Sequence, residues 1–486
     1  MNTVMVITLL GIVSIAVVGM TGRRAKSQDL GDWTVGKRGF SSVATWFLQA
    51  GESFTTFSFL GLAGLAFGGG VAACYALAYL AISIVLQYLT GPRIWRLGRD
   101  RGYLTQADFF ADRFNSPLLG KVVAVVGAVF LLPYLQLQIT GLGLIVQLAT
   151  GSTSGGTLSM VLATVLTVAF VLWSGIRGLA RAAYLKDVLM VAALLALLIA
   201  VPLAFDGGIG QLFHDVQDKH PTLLGLHGEY DTTFFVTATV ISGIGGGLAT
   251  MAHLWPPVLS ARSPRALRRN YVWLPLYQVA LAVPVLVGFA GVLLLSPDSG
   301  SQEILLTLAG HTMPDWLVAV VAVAAASAAM VPSAAIVMGI STLVSRNLLP
   351  ARTERSRLRA NHVCVVVAAA LALVLGLTRP DLLGNLLLLT YGGLSQLAPA
   401  TLMALAKRNR LDTIPALLGI VTGVAVLAWL TFGTTDIGTW DAGLIALAPN
   451  LVVTGLAQLV VRRRATGAGD GGRASARTEP VAAGRL

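Results

Sequence analysis

The sequence predicts an all-α integral membrane fold of about thirteen transmembrane helices, and three observations predict it. Apolar residues make up 55% of the 486 positions and charged residues 12%, about half the charged share of a soluble domain. Thirteen apolar segments approach the roughly 20 residues that cross a hydrocarbon core. The loops joining them alternate between basic and non-basic along the whole chain. Such a composition excludes a large soluble enzyme domain, a disordered scaffold and a coiled coil. The net charge of +12 is a topology signal, not a nucleic-acid signature.

The first span, 3 to 21, has no basic residue ahead of it and no small-residue cleavage pattern behind it, and Arg23-Arg24 follow directly. It reads as a retained helix with its N-terminus outside. The other spans lie at 41 to 67, 71 to 92, 122 to 149, 157 to 176, 187 to 204, 233 to 258, 272 to 296, 316 to 344, 362 to 377, 382 to 405, 414 to 432 and 442 to 461. Of 34 lysines and arginines, 32 fall in one set of loops, including Arg93 to Lys121, Arg177 to Lys186, Arg262 to Arg269, Arg346 to Arg359 and Arg462 to Arg464. Only Lys219 and Arg379 fall in the other set. The positive-inside rule then puts the basic loops and the C-terminus in the cytoplasm, and the chain in the cell membrane. Cys74 and Cys364 sit in apolar stretches and read as small core residues.

The middle of the chain divides into two five-helix blocks of similar length, 41 to 204 and 232 to 405. A block with an odd number of spans inverts when repeated, so a five-plus-five inverted-repeat core is expected. Residues 1 to 40 supply the first helix and a cytoplasmic loop, 205 to 231 an outer loop, and 406 to 464 two more helices. The Gly-, Ala- and Arg-rich tail, 465 to 486, is expected to be disordered. The first helix of each block has a weak point at mid-membrane depth: Gly51 beside Glu52, and Gly243, Gly245, Gly246 and Gly247. Matched breaks are where such folds hold solute and coupling ion; close helix packing is the alternative reading.

Polar residues gather at the same depth. Glu52 is the one carboxylate placed inside a span, where an acidic group costs about 2.5 to 3.5 kcal/mol. Gln49, Glu52, Ser53 and Thr56 follow i, i+3, i+4, i+7 spacing and are expected on one helical face. Gln136, Gln138 and Thr140 follow in the fourth span, and Ser242, Gly245, Gly246, Thr250 and His253 in the seventh. His253 reads as a packing or interfacial group. Ser327 and Ser333 flank Pro332, which frees the carbonyl near residue 328 as an oxygen ligand, and Tyr391, Ser395 and Gln396 lie in the eleventh span. No arginine or lysine lies clearly in the core, and Asp108, Asp112 and Asp187 read as solvated or capping groups.

Asp32-Trp33-Thr34-Val35-Gly36, Phe59-Leu60-Gly61-Leu62-Ala63-Gly64, Tyr103-Leu104-Thr105, Asp108-Phe109-Phe110-Ala111-Asp112-Arg113-Phe114 and Tyr184-Leu185-Lys186-Asp187, in this order across thirteen spans, resemble the sodium:solute symporter family. The resemblance implies a five-plus-five inverted repeat working by alternating access. It also implies sodium ligands at the backbone of Gly51 and Phe54 and at Ala328, Val331 and Pro332. The last two positions carry hydroxyls in sodium-coupled members of the family; here they do not, leaving Ser327 and Ser333 as substitutes. The run from Gly51 to Phe57 and the run from Ala328 to Ser333 look most like the monocarboxylate and pantothenate permeases.

The expected function is therefore secondary active symport of a small organic solute, a monocarboxylate-type anion, driven by a sodium gradient. Proton coupling through Glu52, and an amino-acid or neutral solute, are the alternatives. A membrane-embedded enzyme lacks the clustered acidic ligands or histidine such chemistry needs, and the short tail argues against an attached signalling module. The expected partners are the solute and the bilayer, with no nucleic acid and no cofactor beyond Na+ or H+.

Overall fold

The computed structural model describes residues 3–22, 29–150, 153–379 and 383–475. Helices α1 (Thr3–Met20) and α2 (Leu30–Val35) lead into the first block: α3 (Ser42–Ala50), α4 (Leu62–Gly69), α5 (Tyr75–Arg101), α6 (Gln106–Arg113), α7 (Pro117–Thr150) and α8 (Thr153–Leu203). After α9 (Gly208–Lys219) comes the second block. It comprises α10 (Thr232–Gly247), α11 (Trp255–Ser260), α12 (Pro264–Gln278), α13 (Ala282–Leu294), α14 (Ile304–Thr312), α15 (Asp315–Leu343), α16 (Glu354–Thr378), α17 (Leu383–Ser395) and α18 (Ala398–Leu405). α19 (Thr413–Phe432) and α20 (Ala442–Ser475) close the chain. α20 thus continues into the segment expected to lack structure, and 476–486 lie outside the described residues.

Among the described residues the fold is all helical, as its composition predicts. By length and apolarity eight helices can cross a membrane, or ten if each of two bent pairs is one span, and α1 is a shorter apolar helix. Two runs, Phe57–Arg101 and Met160–Leu203, have 45 and 44 residues. At about 1.5 Å per residue each is long enough to cross twice. The count of thirteen therefore rests on the loop charges rather than on helix lengths.

α8 corrects one boundary. The predicted loop from Arg177 to Lys186 is helical, and the break lies at Gly175, whose φ of 54° is open to glycine. A Cβ there would sit 2.6 Å from the Trp33 carbonyl oxygen. Charge density misplaced the turn, because Lys186 comes eleven residues later, about 16 Å along the helix. Arg177 stays near the turn and grips Asp32 through two hydrogen bonds, 3.1 and 2.7 Å.

The core is organised around α15, buried continuously from Val321 to Leu343. Its many alanines let α1, α7 and α8 approach closely. Large apolar side chains that face outward, such as Leu10, Val85, Leu89, Leu195 and Leu456, form the surface expected against lipid. Side-chain caps fix the helix starts: Thr105 and Asp108 form a reciprocal capping box on α6, and Asp231 accepts from the Phe234 amide at α10.

Candidate solute chamber at the paired helix breaks

α3 and α10, the opening helices of the two blocks, both stop inside the bundle. α3 ends at Ala50, and the chain unwinds before a wide turn at Phe57–Gly61. The Ser58 hydroxyl splints this gap, accepting from the Thr55 amide at 2.7 Å and donating to the Ser53 carbonyl at 3.0 Å. α10 ends at Gly247, and helix resumes at Ala252 at an angle of 41°. Ala249 in this gap has φ 60°, and its carbonyl accepts from Gln106 Nε2 and Trp255 Nε1. Thr250 Oγ1 donates to Gly245 O at 2.6 Å, and Gln87 Nε2 of α5 to Gly246 O at 2.9 Å. These donors replace the ladder bonds that each break gives up.

A cavity of about 80 Å³ lies between the breaks. Five of the sequence-predicted residues line it: Gln49, Glu52, Ser53, Gly246 and Tyr391. Ser83, Gln87, Tyr134, His253, Tyr271 and Gln278 join them. Glu52 Oε2 stands 3.3 Å from His253 Nε2, with the two side chains 7% and 1% exposed. The Tyr134 ring meets the His253 ring edge-on at 5.5 Å. Asn270 Nδ2 donates to Gln49 Oε1 at 3.2 Å and Gln278 Nε2 to Ser53 Oγ at 3.0 Å, so α12 holds the polar wall in place.

Other predicted residues lie elsewhere. Thr56 does not share a helical face with Gln49, because α3 has already ended; its amide and hydroxyl both donate to Gln138 Oε1, at 3.1 and 2.8 Å. Gln136 donates to the Arg379 carbonyl at 2.7 Å, at the end of α16. Gly245 packs under Tyr391, and Ser242 is buried off the chamber. Gln396 Nε2 ties Gly392 O to Gly443 O at 3.0 Å each, at the 47° bend between α17 and α18.

The expected sodium ligands divide as well. Ala328, Val331 and Pro332 are buried in an uninterrupted α15. Ser327 Oγ donates to Ala324 O at 2.6 Å and Ser333 Oγ to Ala329 O at 2.8 Å, each hydroxyl turned onto its own helix. Phe54 packs its ring on Tyr277 at 4.7 Å. The Gly51 carbonyl accepts from Lys186 Nζ at 2.5 Å.

Lys186 and Asp187 correct the sequence reading, which placed no base in the core and took Asp187 for a solvated group. Their side chains are 0% and 2% exposed, with Nζ and Oδ1 3.2 Å apart. The Tyr277 hydroxyl donates to the same Oδ1 at 3.0 Å. Their adjacency in sequence, one anion beside one cation at a helix interior, was the available signal. His253, read as packing, belongs to the chamber wall.

The model of the sodium:solute symporter family matches residues 33–423. This chain belongs to the sodium:solute symporter family. Such a chain is a multi-pass membrane transport protein, a symporter and not an enzyme. The symporter YhjB of Bacillus subtilis, itself uncharacterized, is 31% identical over 488 residues, covering 97% of this chain and 99% of that protein. A monocarboxylate transport permease protein of Rhizobium johnstonii is 25% identical, covering 94% of each chain. The solved structure of a Na+-coupled sialic acid symporter, substrate-bound and outward-open, aligns with a TM-score of 0.77 at 14% identity over 94% of this chain and 97% of that one. The fold is thus the discontinuous-helix, five-plus-five transporter core that the sequence predicts.

Proposed function

We propose that this family member imports a short organic anion of the monocarboxylate class through the chamber between the two breaks. The polar wall of that chamber carries the reading: Gln49, Ser53, Gln87, His253 and Gln278 converge on a cavity of about 80 Å³, which suits a carboxylate of a few heavy atoms. His253 lines this wall, and its Nδ1 has no hydrogen-bond partner among the described residues, so it is free to meet a carboxylate. The monocarboxylate permease among the relatives agrees with this class.

With the basic loops in the cytoplasm and the N-terminus outside, the chamber reaches Ile94 and Val258 toward the cytoplasmic end, next to Arg93 and Arg262. Toward the outer end, rings of Tyr391, Tyr79, Tyr75, Phe234 and Tyr230 meet in succession, edge-on or tilted, at 5.3 to 5.7 Å. These rings support a state closed to the outside, with exchange between the 41–204 and 232–405 repeats opening the other face. Family membership supports sodium as the driving ion. One observation favours a second reading, coupling without sodium: Lys186 already holds the Gly51 carbonyl.

Uptake of labelled pyruvate, acetate, proline and glucose by the purified protein in liposomes tests the solute class. Saturable uptake of pyruvate and acetate, each competing with the other, is expected. Proline or glucose uptake in their place, or uptake of none of the four, overturns the class.

A further inference from the structure

We propose that Lys186 is a tethered cation that stands in for a sodium ion at the first helix break, so that transport by this chain does not require sodium. This rests on the symport reading above and narrows its ion. Half-helix C-terminal ends with unwound carbonyls are where transporters of this architecture hold a monovalent cation. The Gly51 carbonyl is that group here, the first residue past α3. Its ligand is the Lys186 ammonium, a compact single positive charge at 2.5 Å.

Charge and ligand count both disfavour a second cation. Asp187, hydrogen-bonded by Lys186 and Tyr277, neutralises the ammonium, and Glu52, the remaining carboxylate nearby, faces His253. A sodium ion on the same carbonyl would compete with the ammonium for the oxygen and sit beside its positive charge with no unpaired carboxylate to offset it. The hydroxyls of Ser327 and Ser333 point into their own helix, and Val331 and Pro332 offer no side-chain oxygen. The residues present do not form a sodium site, and the cation required at the break is built into α8.

The test is the binding of 22Na+ to the purified wild-type protein, together with pyruvate uptake in sodium or choline buffer. No saturable 22Na+ binding and equal uptake in the two buffers are expected. Saturable 22Na+ binding, or uptake that needs sodium, overturns the proposal. Absence of pyruvate uptake in both buffers overturns the monocarboxylate reading instead, and the 22Na+ result still decides the role of Lys186. Lys186→Met is expected to lower uptake by at least about ten-fold, because Asp187 and Gly51 lose their cation, with Lys186→Arg retaining more. The double variant Lys186→Met/Asp187→Asn, which leaves no unpaired buried charge, covers a single variant that fails to fold. Wild-type uptake in that double variant overturns the proposal.

Discussion

The ammonium of Lys186 lies 2.5 Å from the carbonyl oxygen of Gly51, joining the interior of α8 to the end of α3. This contact anchors the first helix break, while the second is anchored by side chains of α5 and by Thr250. The first break thus adds a charge to the neutral hydrogen bonds of Ser58 and Gln138, whereas the second is held by neutral hydrogen bonds.

The Glu52–His253 pair predicts unequal effects of its two truncations. His253→Ala removes the polar group that the buried Glu52 carboxyl faces at 3.3 Å, at a cost of about 1 to 3 kcal/mol. Glu52→Gln keeps a polar group of nearly the same shape in that place, and costs less, about 1 kcal/mol. Thermal unfolding in detergent should show the larger drop for His253→Ala; equal drops would mean that the two side chains do not stabilise one another.

Gly245→Val is expected to abolish uptake while leaving membrane insertion intact. The new Cβ would meet Tyr391 Cδ1 at 2.7 Å and Ser395 Oγ at 3.1 Å, on the chamber wall. Gly210→Val, with nothing within 4 Å of its Cβ, is the control. Uptake at the control's rate in Gly245→Val would show that α10 need not approach α17 so closely.

Asp441, just ahead of α20, gives a pH dependence of stability. Burial pushes its carboxyl up to about 6 from 3.8, against the Leu444 and Gly443 amides, which lower it. The folded chain thus holds this proton more tightly than the unfolded one. The contribution is present in full below about pH 4 and is lost as pH rises through 6, at most about 3 kcal/mol. Asp441→Asn should flatten the melting temperature across that window, and an unchanged slope would assign it to another group.

Asp108 joins two parts of the basic-loop end. It caps the Leu104 amide at 2.8 Å and accepts from Arg346 Nε at 2.6 Å and Asn347 Nδ2 at 2.9 Å. Asp108→Ala leaves these donors unpaired and should lower stability by about 2 to 4 kcal/mol. Because Asp108 does not line the chamber, the KM for solute should not change; a raised KM would tie this junction to solute binding.

The helices, their order and the paired breaks were legible in the sequence because apolar run length, loop charge and glycine clusters are local signals. The chamber was half legible. Gln49, Glu52 and Ser53 line it as residues next to a break must, whereas Thr56, Gln136 and Gln396 are polar groups spent on neighbouring helices. Lys186 was hidden by the rule that found the topology, since a lysine closing a basic cluster reads as loop. Only the break at Gly175 shows that ten residues of helix precede it. His253 could not be told from a packing histidine without the partner that α3 brings to it.

Alkylation of a chamber cysteine tests the solute site most directly. Ser83→Cys lines the cavity, and Cys74 and Cys364 are replaced by alanine so that it is the one thiol. A membrane-impermeant maleimide should react with it from the cytoplasmic side, more slowly when pyruvate is present and at an unchanged rate with proline. Reaction from the outer side, or a rate indifferent to pyruvate, would contradict a carboxylate site between the two breaks.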